Sequence, residues 1–247
     1  MDIALFIARR TARPTPGEKP GVMERIAVVS VALSLAVMIV ALAVVMGFKY
    51  EVAHRLSGLS SHVLLTDVRG ADAADPRPVV RSGHTERIVR STPGFVSMAP
   101  YALRGGIVRT DEAVETVLLK GVDTTFDWRF FGEWLVEGGL PRVGGEVRTK
   151  DLLLSRTLAD RLRLGVDDRV EMLFVGGERP RRDRFRIAGI YSSGMDEMDA
   201  ALALTDLRNV ARLSGWGPGE ISGYEIVTDD PATADAFAEE LDERLFL

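Results

Sequence analysis

Between Ile26 and Phe48 the chain carries no charged residue, and Val, Ala, Leu, Ile and Met fill nearly every position. As a helix this run of about 23 residues is roughly 34 Å long, slightly more than the roughly 30 Å hydrocarbon core of a bilayer. A core helix of a soluble domain rarely stays apolar all the way round for that length, so the run is predicted to span a membrane. A secretory signal peptide is the competing reading, but its apolar stretch would be shorter and would end in a small-x-small cleavage site. Here the run continues into Met46-Gly47-Phe48-Lys49-Tyr50, too bulky for such a site, and the chain has no cysteine for lipoprotein processing. The helix is expected to remain as an anchor.

Arg9, Arg10, Arg13, Lys19 and Arg25 precede the span, whereas only Lys49 and Arg55 follow it closely. Positive flanks stay on the cytoplasmic side, which predicts a cytoplasmic N-terminus and an exported remainder. That places the protein in the bacterial inner membrane, with its main domain periplasmic. Without cysteine the exported part must hold together through its own core. A net charge of −5, with acids interspersed among the bases, argues against nucleic acid as a partner.

Residues 1–13 read as an amphipathic helix, with Ile3, Phe6 and Ile7 on one face and Arg9 and Arg10 beyond them, suited to lying on membrane lipid. A loose tail is the alternative. Arg13-Pro14-Thr15-Pro16-Gly17 then breaks the helix. After the span, Val52, Leu56 and Leu59 keep helical spacing, so the anchor is expected to rise as a stalk and stop near Gly58 and Ser60-Ser61. The units are therefore 1–21 (cytoplasmic helix and linker), 22–59 (transmembrane helix and stalk) and 60–247 (periplasmic domain).

In the last unit, strands are predicted at His62–Asp67, Phe95–Thr110 and Ala113–Val122, the latter two around the turn Thr110-Asp111-Glu112. Further strands follow at Arg169–Val175, Asp183–Tyr191, Ala200–Leu204 and Ile221–Thr228, and helices at 85–92, Asp206–Leu213 and from Ala232. Leu152–Leu164 reads as an amphipathic helix with Ser155 as a possible cap and Gly165 as its terminator. Runs of strand with interspersed helix make the class α+β. The last helix reaches Leu247 without a closing turn and reads as the start of something longer.

The sequence carries no recognisable catalytic, cofactor-binding or metal-binding constellation. There is no phosphate-binding Walker pattern, and the paired glycines sit in turns. No serine lies in a Gly-x-Ser-x-Gly elbow. His54, His62 and His84 have no second ligand at metal spacing. Asp196, Glu197 and Asp199 read as a solvated loop rather than a cation site. Arg179, Arg181, Arg182, Arg184 and Arg186 read as an exposed basic hairpin able to meet anionic headgroups or an acidic partner.

The order of short segments resembles the start of LolC/LolE-type permeases, in the FtsX/MacB superfamily of ABC transporters. The resemblance runs from Phe6-Ile7-Ala8-Arg9-Arg10 through Met46-Gly47-Phe48 and Gly58-Leu59-Ser60-Ser61-His62-Val63. It continues in Met98-Ala99-Pro100-Tyr101, Leu118-Leu119-Lys120-Gly121-Val122-Asp123 and Leu154-Ser155-Arg156-Thr157-Leu158-Ala159. Leu162–Val170, Phe185–Tyr191, Ala203–Leu207 and Ile221–Ile226 complete it. What the resemblance implies is a MacB-like periplasmic domain, its porter-like part formed by 60–122 and 221–247 around a β-rich insert at 123–220. It also implies four transmembrane helices, a cytoplasmic ABC ATPase subunit as partner, a second permease subunit in a homo- or heterodimer, and no cofactor on this chain. In the lipoprotein-releasing branch, ATPase-driven motion reaches the periplasm and extracts lipoproteins.

Two departures bear on this expectation. Transmembrane helices two to four are absent from the sequence, which reads as a truncation before them. The turn at 176–184 is also short beside the hairpin that recruits a periplasmic carrier, so carrier binding is in doubt. Rival readings are an FtsX/MacB-like regulator or exporter subunit, a single-pass membrane-anchored sensor or binding module, and a membrane-anchored periplasmic enzyme.

Overall fold

A helix from Val22 to Leu59 (α1) is the first described element of the computed structural model, which describes residues 21–59, 61–67, 76–174, 180–195 and 199–246. Its stretch Arg25–Gly47 has a mean hydropathy of 2.9, and none of it is buried within the protein. The Ser34 hydroxyl donates to the Ser30 carbonyl at 2.9 Å, which satisfies a polar group inside an otherwise apolar helix. The predicted helix at 1–13 and its linker to residue 20 lie outside the described residues. So do the side chains on which the stalk reading rested, although the helical backbone itself continues to Leu59.

Beyond it the class is α+β, as the sequence predicts. The strands are β1 (Val63–Thr66), β2 (Val79–Val80), β3 (Phe95–Arg109), β4 (Val114–Val122), β5 (Leu135–Gly138), β6 (Asp151–Ser155), β7 (Arg169–Phe174), β8 (Arg181–Tyr191), β9 (Leu202–Asp206), β10 (Glu220–Ile221) and β11 (Gly223–Thr228). The helices are α2 (Gly83–Ser91), α3 (Arg129–Glu133), α4 (Arg156–Leu162), α5 (Leu207–Ser214) and α6 (Ala234–Phe246).

Strand β3 organises the domain. Its first half pairs with β11, from Phe95 to Tyr101; the Ser222 hydroxyl then accepts the Leu103 N–H at 2.7 Å and β11 turns away. Farther along the same strand, Ile107 and Val108 take β7 as partner, while β4 runs along the other edge. From β4 the pairing passes to β9 (parallel), β6 (antiparallel), β8 (parallel) and β7 (antiparallel), and so back to β3. Six strands thus form a closed ring of hydrogen bonding, which removes their free edges. The ring encloses Val108, Val117, Leu119, Leu152, Leu154, Met172, Phe185 and Ile187, joined by Leu158 and Leu162 of α4 and Val210 and Leu213 of α5.

A second core lies against the other half of β3. There Val89 of α2 and Phe237 and Leu241 of α6 pack on Met98, Tyr224 and Ile226 of the β1–β11–β3 sheet. A third cluster is aromatic: Phe131 is buried against Tyr191, 5.1 Å between ring centroids, with Phe126, Trp128 and Phe130 around it.

The segment Leu152–Leu164 departs from the helical expectation. Asp151–Ser155 is a strand, and the helix begins only at Arg156, with the Ser155 hydroxyl accepting the Leu158 N–H at 3.1 Å as its cap. β6 is paired on both edges and buried on both faces, so its side chains show no alternation and an apolar run reads equally well as helix. The helix is closed not by Gly165 but by Arg163, held in the left-handed region at φ 51°. Gly165 instead donates its N–H to Asp168 in the following turn.

Candidate functional site

Three carboxylates are buried at one end of the ring, and each is surrounded by cations. Asp151 opens β6, Asp183 lies on β8 and Asp206 closes β9. Asp151 accepts from Arg186 Nη2 at 2.7 Å and Arg142 Nε at 3.0 Å. Asp183 accepts from Lys150 Nζ at 2.5 Å, from the Arg184 backbone N–H at 2.9 Å, and from the Arg212 guanidinium. Asp206 caps α5 through the Arg208 N–H, binds its guanidinium at 2.6 Å, and takes the Gly144 N–H at 3.0 Å.

Burial alone would push all three carboxyls up. Donors outweigh it: Arg186 and Arg142 hold Asp151 below the usual carboxylate range, Lys150 with Arg184 and Arg212 does so for Asp183, and Arg208 with the Gly144 N–H for Asp206. Carboxylates so saturated and so acidic are poor general bases at neutral pH. Their effect is structural: they fix the outer cations in place. The loop at 142–150 is secured in the same way, because buried Asn209 donates to Thr149 O and Thr205 Oγ1, both at 2.9 Å, and accepts from Arg148 at 2.9 Å.

The basic hairpin singled out in the sequence divides between exposed and structural roles. Arg182 and Arg184 are exposed and face Glu171 at 3.5 and 3.9 Å; Arg186 bridges Asp151 and Asp167. Arg181 donates to the Arg212 carbonyl, and Arg179 lies outside the described residues. His62 accepts the Thr228 N–H through Nδ1 at 3.1 Å, tying the start of β1 to the end of β11, and His84 enters the capped first turn of α2. Asp196 and Glu197 lie outside the described residues. Asp199 is not a solvated loop residue: it is buried and takes the Ser193 backbone N–H and hydroxyl at 3.0 and 2.7 Å, closing the loop after β8. Among the described residues no group of three or more His, Asp or Glu could hold a metal ion.

One further buried pair escaped the sequence reading. Lys120 on β4 reaches across β3 to Glu225 on β11 at 2.5 Å, and its ammonium lies 5.1 Å from the Phe126 ring centroid. An isolated Lys in Leu-Leu-Lys-Gly-Val-Asp carries no signal of a partner more than a hundred residues away. The neighbouring Gly121 is legible only in three dimensions: a Cβ there would stand 2.7 Å from Leu207 Cα, so α5 packs directly on β4 backbone.

The MacB-like periplasmic core domain family matches residues 26–244. The chain is 24% identical over 220 residues to the lipoprotein-releasing system transmembrane protein LolC of Neisseria meningitidis serogroup B, covering 85% of this chain and 50% of that protein. It is 23% identical over 214 residues to the corresponding LolE of Haemophilus influenzae, covering 83% and 50%. The chain thus spans about half the length of these relatives. Among solved structures, the periplasmic region of MacB from Actinobacillus actinomycetemcomitans aligns over 74% of this chain and 80% of its own, at 16% identity and a TM-score of 0.46. With the family match extending over nearly the whole sequence, the chain belongs to the MacB-like periplasmic core domain family, within the FtsX/MacB superfamily of LolC/LolE-type permeases.

Proposed function

We propose that this chain is the N-terminal part of an ABC transporter permease subunit of the lipoprotein-releasing type, anchored in the inner membrane with its N-terminus cytoplasmic. The observation that carries this reading is the direct succession of a helix with a long uncharged stretch, unburied from Arg25 to Gly47, and a domain of the MacB-like family. The excess of Arg and Lys before the span supports the orientation. In this reading α1 receives motion from a cytoplasmic ATPase subunit and a second permease subunit and passes it to the periplasmic domain, which does no bond-making chemistry itself. The division into a porter-like part (60–122 and 221–247) and an insert (123–220) belongs to the same proposal. The packing of α2 and α6, distant in sequence, on one sheet supports it.

The test has two steps. Protease added to spheroplasts should digest the C-terminal part and leave residues 1–21 protected; the opposite pattern refutes the orientation. Depletion of the full-length gene product should then strand lipoproteins in the inner membrane. Altered wall hydrolysis with normal lipoprotein sorting would assign the protein to a regulator of the same superfamily instead.

A further inference from the structure

The Lys120–Glu225 pair joins β4 to β11, two strands that each pair with β3. Glu225 sits in the middle of β11, opposite Ala99 of β3, on the face away from α2 and α6. Lys120 sits on β4 opposite Leu103. The two side chains therefore meet diagonally across β3, and both are shielded, at 6% and 13% exposure. On its other side the ammonium meets Phe126, which stacks edge-on against Trp128 at 4.9 Å and lies 6.0 Å from Phe131 in the aromatic cluster. Tyr101, on β3 between the two, is 4% exposed. A shielded ammonium requires both an anion and a polarisable face near it, because leaving it unpaired out of water is costly. Whatever shifts Glu225 must then shift the position at which Lys120, and with it Phe126, is best satisfied.

We propose that Lys120 is a latch that couples β11, and the helical layer behind it, to the aromatic segment 123–131, so that displacement of one is felt by the other through its buried ammonium, alongside the more exposed Arg81, which meets Asp123 at 3.6 Å and Glu86 of α2 at 3.2 Å. The inference stands on these contacts and does not depend on the transport reading. Such coupling is reciprocal by thermodynamic necessity, which makes it measurable from either end.

The experiment is hydrogen exchange on the 247-residue chain in detergent micelles. Phe126→Leu keeps the bulk of the side chain but removes the ring face, and it should speed exchange of residues 223–228 about threefold. In the background Lys120→Met/Glu225→Gln, which removes both charges and so leaves none buried and unpaired, the same substitution should leave 223–228 unchanged. An equal effect in both backgrounds, or none in the first, overturns the latch. Should the double variant not fold, Glu225→Gln alone decides the matter at the other end. Exchange of 123–131 should then rise about tenfold, and an unchanged rate there refutes the proposal.

Discussion

The ring and the helical layer solve the problem of covering a sheet in two ways. The ring closes six strands on themselves and fills the interior with side chains drawn almost entirely from residues 102–213. The layer leaves β1–β11–β3 open and covers one face with α2 and α6, which brings residues 63–98 together with 221–245. β3 belongs to both, and so does the backbone strain of any change in it. The ring should therefore behave as the scaffold of the domain and the layer as the part able to move upon it, since closure fixes every ring strand by two neighbours whereas among the described residues β1 is paired on one edge only.

The strongest way to break this comparison is to empty each core in turn. Phe185→Ala, wholly buried in the ring, should cost about 3–5 kcal/mol and lower exchange protection throughout the domain, because β3 and β4 lose their support as well. Phe237→Ala, on the terminal helix, should cost nearer 3 kcal/mol and leave protection in β6 and β8 intact. Equal spread of the two effects in exchange measurements would show that ring and layer unfold as one unit. Next in size, Gly121→Val drives a branched side chain into Leu207 and Val210 of α5 and should destabilise by about 1–3 kcal/mol in chemical denaturation.

The charges give the ring weaknesses at both ends of the pH scale, carboxylates at its rim and buried phenols on β3 and β8. Asp151, Asp183 and Asp206 are more acidic in the folded ring than the value of about 3.9 they take when unfolded. The unfolded chain therefore takes up protons first as the pH falls. The stability these groups contribute is complete above about pH 4 and disappears as the pH drops through their folded values. Asp183→Asn should flatten this acid-side loss in denaturation midpoints measured from pH 7 to 3. On the shared sheet, burial and the charge of Glu225 push the Tyr101 phenol up to about 12. Its folded form keeps a proton that the unfolded chain releases near pH 10, so stability should fall between about pH 10 and 12. Tyr101→Phe should remove part of that alkaline loss, the buried Tyr191 phenol, also pushed up, accounting for another part.

How much of this could be read from the residues depends on where each element finds its partners. α1, the β3–β4 pair and α5 declare themselves through local periodicity and turn chemistry; the Thr110 hydroxyl, for example, accepts the Ala113 N–H at 3.2 Å in the turn named beforehand. The ring does not declare itself, because its closing contact, Ile107 and Val108 with Leu173 and Met172, spans about sixty residues and rests on two register pairs. α3 and β5 were missed for a different reason: elements of five and four residues are too short to establish a period. At the candidate site Arg184 and Arg186 belong to the basic run visible in the sequence, but Arg142, Lys150, Arg208 and Arg212 do not, and the anchoring carboxylates gave no signal. Asp151, Asp183 and Asp206 are scattered over more than fifty positions and converge only because β6, β8 and β9 begin or end at the same rim.

The smallest predicted effect concerns the end of α4, where the ring's local geometry overrides residue preference. Arg163 occupies the left-handed position that closes this helix, with its N–H bonded to Ala159 O and Asp160 O. An L-residue with a side chain is strained there, whereas glycine is not. Gly165, two positions later, has the wrong place in the chain to relieve it. Arg163→Gly should therefore stabilise the domain, by about 0.5–1 kcal/mol from the backbone. Against this stands the loss of the ion pair from Arg163 Nε to Glu112 Oε2 at 2.5 Å. Both partners are substantially exposed, so that pair is worth at most a few tenths of a kcal/mol. A net rise in melting temperature, unchanged in high salt, would confirm that the strain outweighs the charge; a fall in the midpoint that high salt abolishes would show that the ion pair holds the turn.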